Sequence, residues 1–338
     1  MALETFGHTE AGEAVQRLII SDGVLTATVM SWGAAIQDLR LAGHEPPLVL
    51  GFQKFADYPA HSPYFGATAG RVANRIGNGR FMLDGVTYEV EKNLLGRHTL
   101  HSGKQGIGKR NWQIVDHGAD FVRLEIIDGA GHAGFPGTVK IINEYRVEEG
   151  ALHVLIQATT DAATIVNIAH HSYFNLDDGG ATDCLDHHVK IAAEAITGLN
   201  EELIPSGALN LVPGTPYDFR EFAPLRVATP HGPFAHDINY CVSSERVACR
   251  PVAWAKGAHS GVSLEVHSTE PGMQLYTGSK IGGRPANGLN GKPYEAFGGF
   301  CFEAQCWPDA PNHAHFPSIA LYPGQTYEQE TVYAFRKS

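Results

Sequence analysis

The segment from Asn167 to Leu176 places two adjacent histidines among apolar and aromatic residues. In a strand, alternate side chains share a face. His171 and Tyr173 would then lie on one face, and His170 and Ser172 on the other. An imidazole beside a phenol suits a polar cleft, where it can exchange a proton near neutral pH. The same spacing also fits a structural histidine held by hydrogen bonds.

Glu303 is a second candidate, because it lies in the apolar segment 300–307. Burying a carboxylate is costly unless the group is paired or functional. Desolvation raises the pKa of a carboxyl group and makes it a stronger base. The sequence therefore allows either a general base or a salt-bridged glutamate at a strand end.

The segment 69–79 is the third candidate, since it contains Arg71, Asn74 and Arg75 among small residues. A guanidinium is a rigid fork of donors that can grip hydroxyl groups. The segment has neither a Walker pattern nor the strand-to-helix context of a dinucleotide loop. Two exposed arginines on a solvated face are the alternative.

The chain has 18 histidines, some of them close together in the sequence. Besides His170 and His171, the closest pairs are His98 with His101, His187 with His188, and His313 with His315. None has Cys, Asp or Glu at a recognised ligand spacing, and no GxSxG elbow is present. The sequence predicts no metal and no other cofactor.

Composition limits the partners. A chain of 338 residues that is 43% hydrophobic can bury a large core without disulfides or metal. Its net charge of −11 argues against nucleic acid and favours a neutral small molecule. The five cysteines are widely spaced, and neither a secretory signal nor an apolar run of membrane-spanning length is visible. We expect reduced thiols, a cytoplasmic location and no membrane contact.

Short segments with period-two alternation recur along the chain, and turn pairs such as Asp84-Gly85 and Glu149-Gly150 separate them. The clearest are 24–29, 122–126, 152–156 and 262–266. Strong helical periods are absent, and no linker or repeat divides the chain. This pattern predicts an all-β fold, a large antiparallel β-sandwich, with one domain over residues 1–338.

Six motifs in order resemble the aldose 1-epimerases, the galactose mutarotases. They are AGRVANRIGNG at 69–79, HHSYFNL at 170–176, LIPSGALNLVPGTPYDFR at 203–220, PGMQLYTG at 271–278, GFCFEAQCWPDAPN at 299–312 and FPSIALYPGQTYEQETVYAF at 316–335. The resemblance covers nearly the whole chain. It implies the family's supersandwich with an open sugar cleft.

The resemblance also implies roles. Glu303 matches the family's general base and His171 its general acid. The positions that match residues lining the sugar site are Asn74, Arg75, His101, Ser172, Tyr173, Asp237 and Gln274.

The chain departs from the family pattern in two notable places. His170 stands where the family usually has Asn, and we expect it to face away from the cleft. The loop 102–111 is atypical and borders the sugar in the family, so the resemblance does not define substrate preference there.

The expected reaction interconverts the α and β anomers of a free aldose by ring opening and reclosure. Alternatives are a hexose-6-phosphate 1-epimerase, for which Lys104, Lys109 and Arg110 are candidate phosphate contacts, and a carbohydrate-binding protein without catalysis. A glycosidase would need two separated carboxylates, and Asp237 with Glu303 is the candidate pair. The expected partner is a small aldose, and the expected assembly is a monomer or weak dimer.

Overall fold

The computed structural model describes residues 3–338, and strands dominate it. The strands of the first half are β1 (Glu4–His8), β2 (Ala14–Ser21), β3 (Leu25–Met30), β4 (Ala35–Leu41), β5 (Ala67–Ala69), β6 (Arg75–Ile76), β7 (Arg80–Leu83), β8 (Val86–Glu89), β9 (Thr99–Leu100), β10 (Gln113–His117), β11 (Phe121–Asp128), β12 (Val139–Glu148), β13 (Ala151–Thr160), β14 (Thr164–Ile165) and β15 (Ala169–His171).

Those of the second half are β16 (His188–Ile191), β17 (Ala195–Leu199), β18 (Pro205–Leu211), β19 (Ala223–Pro224), β20 (Ala228–Thr229), β21 (Gly232–Pro233), β22 (Asp237–Cys241), β23 (Arg250–Lys256), β24 (Val262–Ser268), β25 (Gly272–Tyr276), β26 (Cys301–Gln305), β27 (Ala320–Leu321) and β28 (Tyr327–Lys337). The helical elements are α1 (Asp57–His61) and 3₁₀ turns at Gly77–Gly79, Ile107–Lys109, His132–Gly134 and Ala310–Asn312.

The predicted turn pairs close tight hairpins. Asp84 and Gly85 join β7 to β8 with φ of 49° and 79°, and Glu149 and Gly150 join β12 to β13 with φ of 51° and 75°. Two consecutive left-handed residues are typical of type I′ turns, whose twist matches that of the strands they connect. The sequence signal and the local geometry therefore agree.

Three antiparallel sheets form the body of the protein. The nine-stranded sheet has the order β10-β11-β12-β13-β28-β24-β23-β16-β19, the five-stranded sheet β18-β17-β22-β25-β26 and the four-stranded sheet β1-β2-β3-β4. Burial alternates along β12, β24 and β28 as a sheet covered on one face requires. The all-β prediction is confirmed.

One contiguous apolar cluster joins the three sheets. It includes Leu18 from the four-stranded sheet, Ile141 and Tyr333 from the nine-stranded sheet, and Met273 and Phe302 from the five-stranded sheet. Burial of apolar area of this kind is the main stabilising contribution to such a fold. The five-stranded sheet thus has one face held by the core and one face free to build a cleft.

No helix in the 3–338 range has the length and apolar character needed to cross a membrane.

Candidate functional site

The packing of β26 on β28 sets the direction in which Glu303 points. Tyr333 donates its hydroxyl to the carbonyl of Phe302 at 3.0 Å, and Gln329 donates its amide to that of Ala304 at 2.8 Å. Phe302 and Ala304 face the core, so alternation directs Glu303 to the opposite face.

Strand register then assembles a polar surface around Glu303. Gln274 on β25 lies directly opposite Glu303, and Asn239 on β22 lies opposite Gln274. In the neighbouring row, Asp237 on β22 faces Tyr276 on β25. Residues directly opposite in antiparallel strands share a face, so the sheet presents these side chains together.

His171 reaches the same place from β15. The backbones of Phe174 and Phe300 exchange two hydrogen bonds, of 2.6 and 2.9 Å, which tie the end of this segment to the start of β26. The Nε2 atom of His171 lies 3.5 Å from Oε2 of Glu303, and both side chains are almost fully buried. They line a cavity of about 210 Å³.

Glu303 is a carboxyl group without a close hydrogen-bond donor. Its Oε2 atom is buried and has no hydrogen-bond partner among the described residues. Burial, with Asp237 nearby, raises the pKa of Glu303 to about 8 against the opposing effect of Arg75. A carboxyl group prepared in this way can take up or release a proton at neutral pH.

The imidazole of His171 lies among aromatic rings. The rings of Tyr64 and Tyr173 are nearly parallel to it, at interplanar angles of 21° and 23°. Its Nδ1 atom lies 3.5 Å from the sulfur of Cys301. Burial lowers the pKa of His171 to about 4. The free protein therefore favours the uncharged forms of both His171 and Glu303.

Arg75 and Asp237 form the charged wall of the cavity. Nη2 of Arg75 donates to Oδ2 of Asp237 at 2.8 Å, and its Nη1 donates to Oδ1 of Asn74 at 3.2 Å. The other oxygen of Asp237 accepts a hydrogen bond from Gln274 at 2.7 Å. Because both oxygens of Asp237 are occupied, this carboxylate is fixed in place, which makes it a poor glycosidase partner for Glu303.

The tautomer of His101 follows from one backbone contact. The backbone N–H of Asn74 donates to Nδ1 of His101 at 3.1 Å. Burial, with His171 nearby, lowers the pKa of His101 well below its usual value. The neutral ring therefore carries its proton on Nε2, where it can donate to a sugar hydroxyl.

Of the residues that the resemblance assigns to the site, eight line the cavity: Asn74, Arg75, His101, His171, Tyr173, Asp237, Gln274 and Glu303. Ser172 does not. Its hydroxyl lies 2.7 Å from Nε2 of His170 on the opposite face. Strand alternation turns the side chain of Ser172 away from the cleft, so its hydroxyl does not line the cavity, and the sugar-binding role implied by the resemblance stays a prediction.

The cavity has further lining residues that the sequence reasoning missed. They are Pro63, Tyr64, Leu100, Tyr276, Lys280 and Arg284. Alternation along β25 could have identified Tyr276, which is two residues beyond Gln274. Tyr64 and Arg284 lie in loops without periodicity, so no sequence signal placed them. The hydroxyl of Tyr173 donates to the carbonyl of Pro63 at 2.9 Å, and Tyr173 thereby holds the loop that carries Tyr64.

The atypical loop 102–111 lies elsewhere. Lys104, Lys109 and Arg110 line a separate cavity of about 520 Å³, and Tyr64 forms part of the wall of both cavities. The side chain of Lys109 lies over the ring of Tyr64, 4.8 Å from its centre, and Arg110 pairs with Asp128 at 2.7 Å. These three cations are therefore not the phosphate contacts of the cleft that the sequence suggested.

One group of side chains has the composition of a metal site. Ligand atoms of His171, Cys301 and Glu303 lie within 4.8 Å of one another, and all three residues are buried. However, His171 presents Nδ1 to Cys301 and Nε2 to Glu303. The two flanking groups therefore meet different nitrogens of one ring. This geometry favours proton exchange over chelation of one ion.

The fold and the site together define a class of protein, namely a β-sandwich with a buried carboxyl–imidazole pair in a cleft rich in hydrogen-bonding groups. The family model described as aldose 1-epimerase matches residues 16–334. The chain is 38% identical to the galactose mutarotase of Rattus norvegicus, with 98% of this chain and 97% of the relative covered. It is 32% identical to the aldose 1-epimerase of Escherichia coli strain K12, with 92% of each covered.

Solved structures agree with these matches. An aldose epimerase homologue from C. elegans superposes with a TM-score of 0.88 at 29% identity, covering 96% of this chain and 99% of that one. The chain belongs to the aldose 1-epimerase family.

Proposed function

We propose that this protein is an aldose 1-epimerase, an isomerase that interconverts the α and β anomers of a free aldose such as galactose or glucose. The observation that carries the proposal is the contact between His171 and Glu303 at 3.5 Å on the floor of the cleft. The names of the related proteins support the same reaction.

Ring opening needs two proton movements. One proton leaves the hydroxyl on C1 and another reaches the ring oxygen O5, while the C1–O5 bond breaks and an aldehyde forms. Rotation about C1–C2 and reclosure then give the other anomer. A positioned acid and base contribute about 10²–10⁴ each to the rate of such a step.

In our mechanism Glu303 accepts the proton of the C1 hydroxyl and His171 donates to O5. The reacting pair therefore begins as carboxylate and imidazolium and ends with both groups uncharged. Burial favours the uncharged forms, as the pKa of about 8 for Glu303 and about 4 for His171 indicates. Ring opening thus relieves buried charge. Reclosure reverses both transfers: Glu303 returns its proton to the carbonyl oxygen on C1, and His171 takes its proton back from the O5 hydroxyl as the C1–O5 bond forms.

The remaining polar groups are suited to hold the sugar. Arg75 and Asp237 fix each other, and His101 offers an Nε2–H donor. Fixed hydrogen bonds to the distant hydroxyls leave C1 free to rotate, and no step requires a cofactor or metal. The compact pairing of β28 with both β13 and β24 supports one catalytic domain over residues 1–338. A cytoplasmic location and a monomeric or weakly dimeric state stay predictions.

The test is to follow the optical rotation of freshly dissolved α-D-galactose and α-D-glucose. We expect rapid relaxation with the wild type and a loss of about 10²–10⁴ in kcat for Glu303→Gln, which cannot accept the proton. Glu328→Gln, at an exposed glutamate on β28, is the matched control and should behave like the wild type. Wild-type drift at the uncatalysed rate on hexoses and pentoses alike would refute the function.

A further inference from the structure

Two cations at the mouth of the cleft have no role in the proposed mechanism. Lys280 and Arg284 line the same cavity as Glu303 and lie in the segment that follows β25. Lys280 is exposed and Arg284 is half-buried. Both are therefore accessible to a ligand that enters from solvent.

The segment holds these cations by its own backbone and not by carboxylates. Nη1 of Arg284 donates to the carbonyl of Lys280 at 2.8 Å, and the backbone N–H of Lys280 donates to the hydroxyl of Tyr276 at 3.0 Å. Within the described part of the chain, no Asp or Glu oxygen lies within 4.0 Å of the charged nitrogens of Lys280 or Arg284. Their charge is not compensated by an ion pair.

The rest of the cavity wall does not compensate it either. Arg75 and Asp237 pair with each other. Burial lowers the pKa of His101 and His171 and raises that of Glu303, so these three groups are largely uncharged at neutral pH. The cavity wall therefore keeps two uncompensated positive charges in a chain whose net charge is −11.

The hydroxyl groups of a neutral sugar can accept hydrogen bonds from these two side chains but leave their charges uncompensated, whereas an anionic group would also compensate the charge. A guanidinium matches a carboxylate or phosphate as a fork, and an ammonium group acts as a point charge beside it. Local positive charge in a cleft also raises the local concentration of an anionic substrate. We propose that Lys280 and Arg284 adapt this cleft to aldoses that carry an anionic group, a carboxylate or a phosphate, at the end of the sugar distant from C1. The inference rests on the proposed epimerase function and names its substrate class.

The test compares three sugars by NMR exchange between their anomeric protons at equilibrium: galactose, galacturonate and galactose 6-phosphate. In the wild type, kcat/KM for at least one anionic sugar should exceed that for galactose. The double variant Lys280→Ala/Arg284→Ala should lower the ratio of anionic to neutral kcat/KM about tenfold, as expected for two partly exposed charge contacts. The same ratio should fall as ionic strength rises.

Lys104→Ala is the matched control, because Lys104 is an exposed lysine that lines the other cavity. It should keep the wild-type ratio. Whichever of galacturonate and galactose 6-phosphate has the higher kcat/KM identifies the preferred anionic group as carboxylate or phosphate. Efficient galactose exchange without any anionic preference, or a ratio that the double variant leaves unchanged, would overturn this inference alone. Failure to exchange any sugar, galactose included, would instead overturn the proposed function and the inference with it.

Discussion

His170 and His171 are neighbours on β15 and have opposite environments. His170 faces the core, where its Nδ1 lies 3.2 Å from the hydroxyl of Tyr145 and its Nε2 lies 2.7 Å from that of Ser172. His171 faces the cleft, where its nearest polar neighbours are Cys301 and Glu303, each at 3.5 Å. One ring has two short hydrogen bonds, and the other has none shorter than 3.5 Å.

Burial alone does not distinguish the two rings, since both are almost completely buried and burial lowers the pKa of both. The two rings differ in whether their neighbours satisfy their hydrogen-bonding capacity. The partners of His170 satisfy its hydrogen-bonding capacity within the fold. The partner of His171 is the carboxyl group of Glu303, whose Oε2 atom has no hydrogen-bond partner among residues 3–338, so both groups remain able to hydrogen-bond to a substrate. This unpaired hydrogen-bonding capacity is what supports the proposed catalytic role of His171 rather than His170.

Replacing each histidine by asparagine tests most directly whether the two rings have different roles. His171→Asn should lower kcat by about 10²–10⁴, because the acid of the ring-opening step is lost. His170→Asn should keep kcat close to the wild type but lower the free energy of unfolding by about 1–3 kcal/mol, because Tyr145 and Ser172 lose a buried partner. Polarimetry gives the rates, and denaturant titration gives the stabilities.

Equal loss of activity in the two variants would contradict the division of roles. So would a His171→Asn protein that is inactive only because it is unfolded, which circular dichroism would reveal.

The sequence predicted the strand residues of the site better than the loop residues. Period-two alternation placed His171 beside Tyr173 and turned His170 to the other face, because a strand offers only two directions. Glu303 stood out because a carboxyl group in an apolar segment is costly to bury. The alternation rule also places the hydroxyl of Ser172 on the core side, beside His170. Tyr64, Lys280 and Arg284 could not be predicted, because they enter the cleft from loops whose path depends on tertiary contacts such as that of Tyr173 with Pro63.

The protonation of the pair gives a second test, in the pH dependence of kcat/KM. The mechanism needs one proton shared by the two groups. Below a pH of about 4, both His171 and Glu303 are protonated, so the pair holds one proton too many. Above a pH of about 8, Glu303 is ionised and neither group holds the proton that the reaction needs. Activity should therefore be level between these values and fall about tenfold per pH unit outside them.

The pH at which the alkaline limb falls shows whether burial shifts the two pKa values. If both groups kept their usual pKa values, the acid limb would come from the glutamate near 4.5 and the alkaline limb from the histidine near 6.5. An alkaline limb near 6.5 would therefore contradict the influence of burial on the pair. His170→Asn should leave both limbs in place, since its ring does not take part.

We expect the smallest effect on kcat from replacing Cys301, which we interpret as a positioning residue for His171. Burial raises the pKa of this thiol well above its usual value, so the sulfur keeps its proton and can donate it to Nδ1 of His171 at 3.5 Å. The neutral ring then carries its own proton on Nε2, the atom that faces Glu303. Cys301→Ala should lower kcat about three- to tenfold, since a neutral hydrogen bond contributes about 0.5–1.5 kcal/mol.

Cys301→Ser keeps a donor and should restore most of the lost rate. The decisive readout is the ¹⁵N chemical shift of the two ring nitrogens of His171, which reports which of them carries the proton. In the wild type and Cys301→Ser the proton should lie on Nε2, and in Cys301→Ala the population with the proton on Nδ1 should rise. A rate that falls in Cys301→Ala while the tautomer stays unchanged would assign Cys301 to packing alone, because loss of volume does not select between the two nitrogens.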